Sequence, residues 1–194
     1  MTDTSETLLD RLKHEPDSAS WKELVEIYNP MIERWLNRHG LREADCDDVA
    51  QEVLLVVVRK LGGFEREPRT GAFRRWLRNI TVNCLRDYRR SKRYQPLATG
   101  SSDFDEMLQQ LADDDSELSR QWNLEHDRHV TRFLLERIKG GFTESTWLAF
   151  ERVALQGQPA ERVAQELGLS VNAVFIAKSR ILSRLRTEGA GMLD

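Results

Sequence analysis

Apolar positions along this chain recur at three- and four-residue steps, which predicts an all-α fold. Leu8, Leu9 and Leu12 mark a short amphipathic helix over 4–13, ended by Pro16. Ser20 is placed to cap a second helix. That helix runs from Trp21 through Leu24, Val25, Tyr28, Ile32, Trp35 and Leu36 to Arg38, with Pro30 a point where it can kink. His39, at its end, reads as a C-terminal cap. A third helix, Glu43 to Leu61, opens on Glu43, Asp45, Asp47 and Asp48, which suit the positive end of a helix dipole. It then turns aliphatic at Val49, Val53, Leu54, Val56 and Val57, and its length outweighs the strand preference of valine. Gly62 and Gly63 break it.

The stretch from Gly71 to Tyr94 organises the rest. Phe73, Trp76, Leu77, Ile80, Cys84, Leu85 and Tyr88 form one stripe of a helix. Arg74, Arg75, Arg78, Arg86, Arg89, Arg90, Lys92 and Arg93 cover the remainder, and only Asp87 opposes them locally. Residues 96–116 read as an acidic, flexible linker between domains at 1–95 and 117–194. A weak apolar patch at Phe104, Met107, Leu108 and Leu111 could form a short docking helix there. Beyond it, helices are expected over 117–139, from a cap at Thr143 to Gly157, from Pro159 to Gly168, and from a cap at Ser170 to about Thr187. The result is two small helical domains.

Charge sharpens this picture. The net charge of -3 conceals segregation: from Arg59 to Arg93 there are twelve Lys/Arg against three acids, and from Asp103 to Glu117 seven acids and no base. A helix apolar on one side and cationic on the other suits a polyanion, and arginine with interleaved aromatics suits nucleic acid. The rival reading is a solvated basic face over a packed core. The seven acids are placed to compete with phosphate for the basic helix. Cys46 and Cys84 have neither CxxC nor Cys/His spacing, which indicates two half-buried thiols rather than a disulfide or zinc site. The polar N-terminus is no secretory signal, and the longest aliphatic run, VLLVVV, is too short to span a bilayer. A cytoplasmic protein without membrane insertion is therefore expected.

Two constellations carry specific chemistry. PAERVAQELGLSVNAVFIAKSRILSRL has the spacing of a helix-turn-helix. Ala164 permits close approach, Gly168 permits the left-handed turn, Val174 is the apolar plug, and Leu167 and Leu169 fill beside it. Its second helix would present Asn172, Ala173, Lys178, Arg180 and Arg184 to DNA. The second constellation, Asp45, Asp47, Asp48, Gln51 and Glu52, places carboxylates on one helix face. It reads as a metal site, a solvated helix start, or a docking face for a basic protein. No catalytic triad, phosphate loop or metalloprotease motif occurs, and His14, His39, His126 and His129 lack acids at useful spacing. No catalytic site, cofactor or metal is indicated.

With those residues in view, the chain closely resembles bacterial RNA polymerase sigma factors of the extracytoplasmic-function (ECF) group of the sigma-70 family. DCDDVAQEVLLVVVRK and GAFRRWLRNITVNCLRDYRRSKR resemble successive parts of region 2, and LGLSVNAVFIAKSRILSRLR resembles region 4. The resemblance implies a region 2 bundle over 1–95 and a region 4 helix-turn-helix over 117–194. It implies that Asp47, Asp48, Gln51, Glu52 and Leu54 bind the clamp helices of the largest subunit of core RNA polymerase, with a further contact to the flap. Phe64, Arg74, Trp76, Asn79, Asn83, Arg86 and Arg90 would take the minus-ten element as it opens. Ser170, Asn172, Ala173, Lys178, Arg180 and Arg184 would read the minus-thirty-five element. It further implies an anti-sigma partner and a monomer when free. The chain departs from the family in a loop before Phe73 that is a few residues longer, and in Phe175, where many members carry a basic residue. The alternatives are a stand-alone helix-turn-helix transcriptional regulator and, from another class, a nucleic-acid-processing enzyme.

Overall fold

The computed structural model describes residues 7–14, 17–65, 71–91 and 101–193, and every regular element among them is helical. The helices are α1 (Leu8–His14), α2 (Ser18–Arg38), α3 (Glu43–Lys60), α4 (Ala72–Arg90), α5 (Ser101–Ala112), α6 (Glu117–Lys139), α7 (Glu144–Phe150), α8 (Ala160–Leu167) and α9 (Val171–Gly189). The expected start of the first helix at residue 4, loop positions 66–70, and the end of the basic stretch at 92–94 lie outside the described residues. The chain divides into two compact units, one built on residues 6–130 and one on 131–190.

In the first unit, α2 begins earlier than expected. Asp17, not Ser20, is the N-cap, and its carboxylate accepts from the Ser20 N–H at 2.6 Å. Both are good N-cap residues, and the charge of Asp17 adds a favourable interaction with the positive end of the helix dipole. The Ser20 hydroxyl is left to accept from Arg11 Nε at 3.3 Å. The helix continues through Pro30 and ends at His39.

Leu24, Ile27, Tyr28, Ile32, Trp35 and Leu36 of α2 are all but fully buried, with α2 packed on α3 and Tyr28 meeting Phe73 of α4 at a centroid distance of 5.5 Å. The helical period splits the VLLVVV run: Val53, Leu54 and Val57 point inward, while Leu55 and Val58 are 47 % and 41 % exposed. Both cysteines are buried and free, and burial pushes each thiol up to about 11.

The patch around Phe104 does form a helix. Within α5, Phe104, Leu108 and Leu111 are buried, and the helix packs on α4. The first half of α6 completes the layer with Trp122, His126 and Val130, each fully buried. Trp122 meets Trp35 edge to face, with centroids 5.0 Å apart. Buried aromatic and aliphatic side chains each stabilise by about 1.5–3 kcal/mol. Four of them (Phe104, Leu108, Leu111 and Trp122) make residues 101–130 an integral layer of this unit.

In the second unit, Thr143 caps α7 as expected, accepting from the Thr146 N–H at 3.3 Å. The helix closes through a π turn, Glu151–Leu155. Between α8 and α9, Gly168 holds φ +66°, and the Leu169 N–H returns to the Ala164 carbonyl at 2.9 Å. This left-handed turn is open to glycine at little cost. Val163, Ala164, Val174 and Ala177 form the junction, with Leu167 and Leu169 packed beside them. Trp147, Phe150, Ile138 and Ile181 form the adjoining core.

Candidate DNA-facing and protein-docking surfaces

The cationic side of α4 is not free. Arg74 donates to the Asp127 carboxylate at 2.5 Å. Arg78, only 1 % exposed, donates to Asp114 and to the Asn123 side-chain oxygen at 3.2 Å. Arg75 lies 3.8 Å from Asp114, and Arg89 pairs with Asp105. The expectation that only Asp87 opposes these arginines is therefore corrected, because Asp105, Asp114 and Asp127 arrive from α5, the following turn and α6. Burial lowers the Arg78 guanidinium from its ordinary value while Asp114 opposes that shift, and arginine stays charged throughout.

Gly71 contributes to this arrangement. It sits at φ +83°, and a Cβ there would stand 2.5 Å from Arg74 Nε, so the guanidinium folds over a position that only glycine leaves open.

What α4 shows to solvent is a narrower stripe: Asn79, Asn83, Asp87 and Arg90, at helical spacing. Arg86 and Trp76 are half-buried beside it. Arg90 pairs with Asp87 at 3.6 Å, both largely in solvent, a contact worth little. Trp76 packs against Phe64 with centroids 4.8 Å apart, and Phe64 meets Phe73 edge to face at 5.7 Å. Phe64 is itself buried, with the Lys13 ammonium 5.1 Å over its ring. A cavity of about 430 Å³ opens here, lined by Phe64, Arg75, Trp76, Asn79 and Asp114. Phe64, Trp76 and Asn79 are thus brought together, Asn83, Arg86 and Arg90 lie further along α4, and Arg74 is turned toward Asp127.

On α3, Asp47, Asp48, Gln51 and Glu52 are exposed, with Gln51 donating to Asp47 at 3.0 Å. Leu54 is buried at 6 %, whereas Leu55 continues the exposed stripe. The helical step from Asp48 through Gln51 and Glu52 leads to Leu55, a signal present in the sequence. Asp48, Glu52, Val56 and Lys60 face Asn83, Cys84 and Tyr88 of α4 across a cavity of about 570 Å³. Asp45 is drawn inward instead. Burial and then a hydrogen bond with Asp45 push the Tyr88 hydroxyl up to about 12.

His126 does meet an acid. Its Nδ1 lies 3.0 Å from Asp127 and its Nε2 3.4 Å from the Tyr28 hydroxyl. The group is fully buried, and burial holds the imidazole below its ordinary value. Burial pushes Asp127 up, but donation from His126 and Arg74 outweighs it and leaves the carboxyl below the usual range. This is a buried scaffold for Arg74.

On α9, Ser170 spends its hydroxyl on the helix cap, accepting from the Ala173 N–H at 3.1 Å. Asn172, Arg180 and Arg184 are exposed, while Ala173 and Lys178 are half-buried. Arg184 pairs with Glu188 at 2.7 Å. Phe175 and Ile176, absent from the expected reading set, flank Asn172 and are half exposed.

Residues 24–94 match the family model for sigma-70 region 2. The chain is similar to "Probable RNA polymerase sigma factor RfaY" of Xanthomonas campestris pv. campestris, 28 % identical over 145 residues. That alignment covers 75 % of this chain and 34 % of the relative. It is also similar to "RNA polymerase sigma factor NccH" of Alcaligenes xylosoxydans xylosoxydans, 27 % identical over 107 residues, covering 55 % of this chain and 56 % of the relative. The chain thus spans about a third to a half of the length of these relatives.

Proposed function

We propose that the chain, whose residues 24–94 match sigma-70 region 2 and which is similar to proteins named as RNA polymerase sigma factors, is an alternative sigma factor of the ECF group. It docks on core RNA polymerase, recognises a promoter and supports opening of the DNA, without itself performing chemistry. The observation that carries this reading is the pairing of a region 2 match over 24–94 with an exposed acidic stripe on α3 beside α4.

Asp47, Asp48, Gln51 and Glu52 form the docking face for the clamp helices of the largest polymerase subunit, and Leu55 supplies its apolar contact. Charge sets the register and an aliphatic centre supplies affinity. Phe64, Trp76 and Asn79 at the 430 Å³ cavity, with Asn83, Arg86 and Arg90 along α4, take the separated minus-ten strand. The half-exposed indole of Trp76 there offers a ring surface on which an unpaired base can stack. The α8–α9 pair reads duplex DNA at the minus-thirty-five element, with Asn172 toward base edges and Arg180 and Arg184 toward phosphates. The flap and an anti-sigma factor are further partners, the free protein is a monomer, and its place of work is the cytoplasm.

A stand-alone helix-turn-helix regulator is not favoured, since it leaves the region 2 match without a role. Run-off transcription with purified core RNA polymerase on a promoter library tests the proposal. Specific transcripts that depend on this chain support it. A chain that neither joins core nor initiates from any promoter overturns it.

A further inference from the structure

The outward stripe of α9 changes character along its length. Its first turns carry Asn172, Phe175, Ile176 and Ser179, without a charge, and its later turns carry Arg180 and Arg184. The core is already filled without Phe175 and Ile176, because Val174, Ala177 and Ile181 are 0–5 % exposed and face inward. Phe175 and Ile176 stand 51 % and 48 % exposed on adjacent positions. Ser170 and Gly168 fix the start of the helix, so the direction in which these two side chains leave the backbone is set.

A groove-reading helix brings its N-terminal turns to base edges and its later turns to the backbone. The switch from apolar to basic follows that division. Neither a phenyl ring nor an aliphatic chain can donate or accept a hydrogen bond at a base edge. The one major-groove feature that rewards apolar contact is the C5 methyl group of thymine. We propose that Phe175 and Ile176 are specificity-determining residues that read thymine methyl groups in duplex DNA, beside Asn172, whose amide matches adenine. The inference rests on the proposed role of α9 as the duplex reader. It adds to the reading set Phe175 and Ile176, which flank Asn172 on the outward side of α9.

The test uses holoenzyme assembled from core polymerase and the full chain. Duplexes with a randomised upstream element are selected for binding, and each thymine of the best site is then replaced in turn by uracil, which lacks only the methyl group. At one or two positions the replacement should weaken binding about three- to fivefold, the loss expected for one buried methyl. Phe175→Ala and Ile176→Ala should bind the thymine and uracil duplexes equally, while Phe175→Leu keeps part of the preference. Both residues are exposed, so the variants should fold, and retained helical circular dichroism checks this. Sequence-specific binding with no thymine-over-uracil preference at any position overturns the proposal but leaves α9 as the reader. If Arg180→Ala and Arg184→Ala also leave upstream binding unchanged, the reading of α9 fails as well. If Phe175→Ala weakens capture of core polymerase instead, the patch is a protein contact and the proposal is wrong.

Discussion

Arg78, in the middle of the most basic helix of the chain, is 1 % exposed and hydrogen-bonds to Asp114, 36 residues further on. Arg74 and Arg89 are held in the same way by Asp127 and Asp105. The arginines that look most available to phosphate in the sequence are those the fold has neutralised.

One expectation concerns DNA binding by the free protein. Deleting residues 103–117 to release the arginines would also remove Phe104, Leu108 and Leu111 from the core, so neutralisation is the cleaner change. Asp105→Asn with Asp127→Asn should loosen Arg89 and Arg74 without dislodging α5, because a hydrogen bond to a charged group contributes about 1.5–3 kcal/mol, against several in total for the apolar contacts of Phe104, Leu108 and Leu111. Affinity for single-stranded DNA should rise several-fold. The dependence of log K on log salt should steepen by about 0.7 per arginine engaged. Unchanged affinity and slope in a salt titration would show that the acids do not compete with phosphate.

Docking should depend on the exposed face of α3. Asp48→Arg is expected to lower capture of core polymerase by tenfold or more, placing a like charge against a basic partner. Leu55→Ala should weaken it, whereas Leu54→Ala should act through stability, since Leu54 is buried. Pull-down alongside urea melts separates the two effects.

The layer formed by α5 and α6 should be needed by the first unit. Trp122→Ala is expected to cost about 3–5 kcal/mol in urea unfolding of the full chain. Leu155→Ala, at an exposed position, should change stability by less than about 0.5 kcal/mol. A Trp122→Ala chain as stable as the parent would contradict the packing against Trp35.

Stability should also vary with pH through His126. Its folded value lies below the ordinary 6.5, so the unfolded chain binds more protons below that pH. Its contribution is complete above about 6.5 and declines as pH falls toward the folded value. Asp127, also lowered, adds a loss beginning only near its ordinary 3.8. Urea midpoints between pH 7 and 5 should therefore fall, and His126→Gln should flatten that slope even if it is less stable overall. A parallel slope in the variant would remove His126 as the cause.

Periodicity, caps and glycines are local properties, and they determined the helices of this protein. The Thr143 and Ser170 caps, the Gly168 turn, the Val174 plug and the acidic stripe of α3 follow from residues within a few positions of each other. The start of α2 is not fixed by local pattern, because two acceptors, Asp17 and Ser20, lie within one turn and the fold uses Asp17. Which arginines remain open to a ligand was decided only in three dimensions. Their partners lie tens of residues away, 53 in the case of Arg74 and Asp127, and helical spacing carries no information over that distance. The same holds for His126, whose burial depends on α2 and α6 meeting through Tyr28. Helices form from neighbours in sequence, but charge is neutralised by neighbours in space.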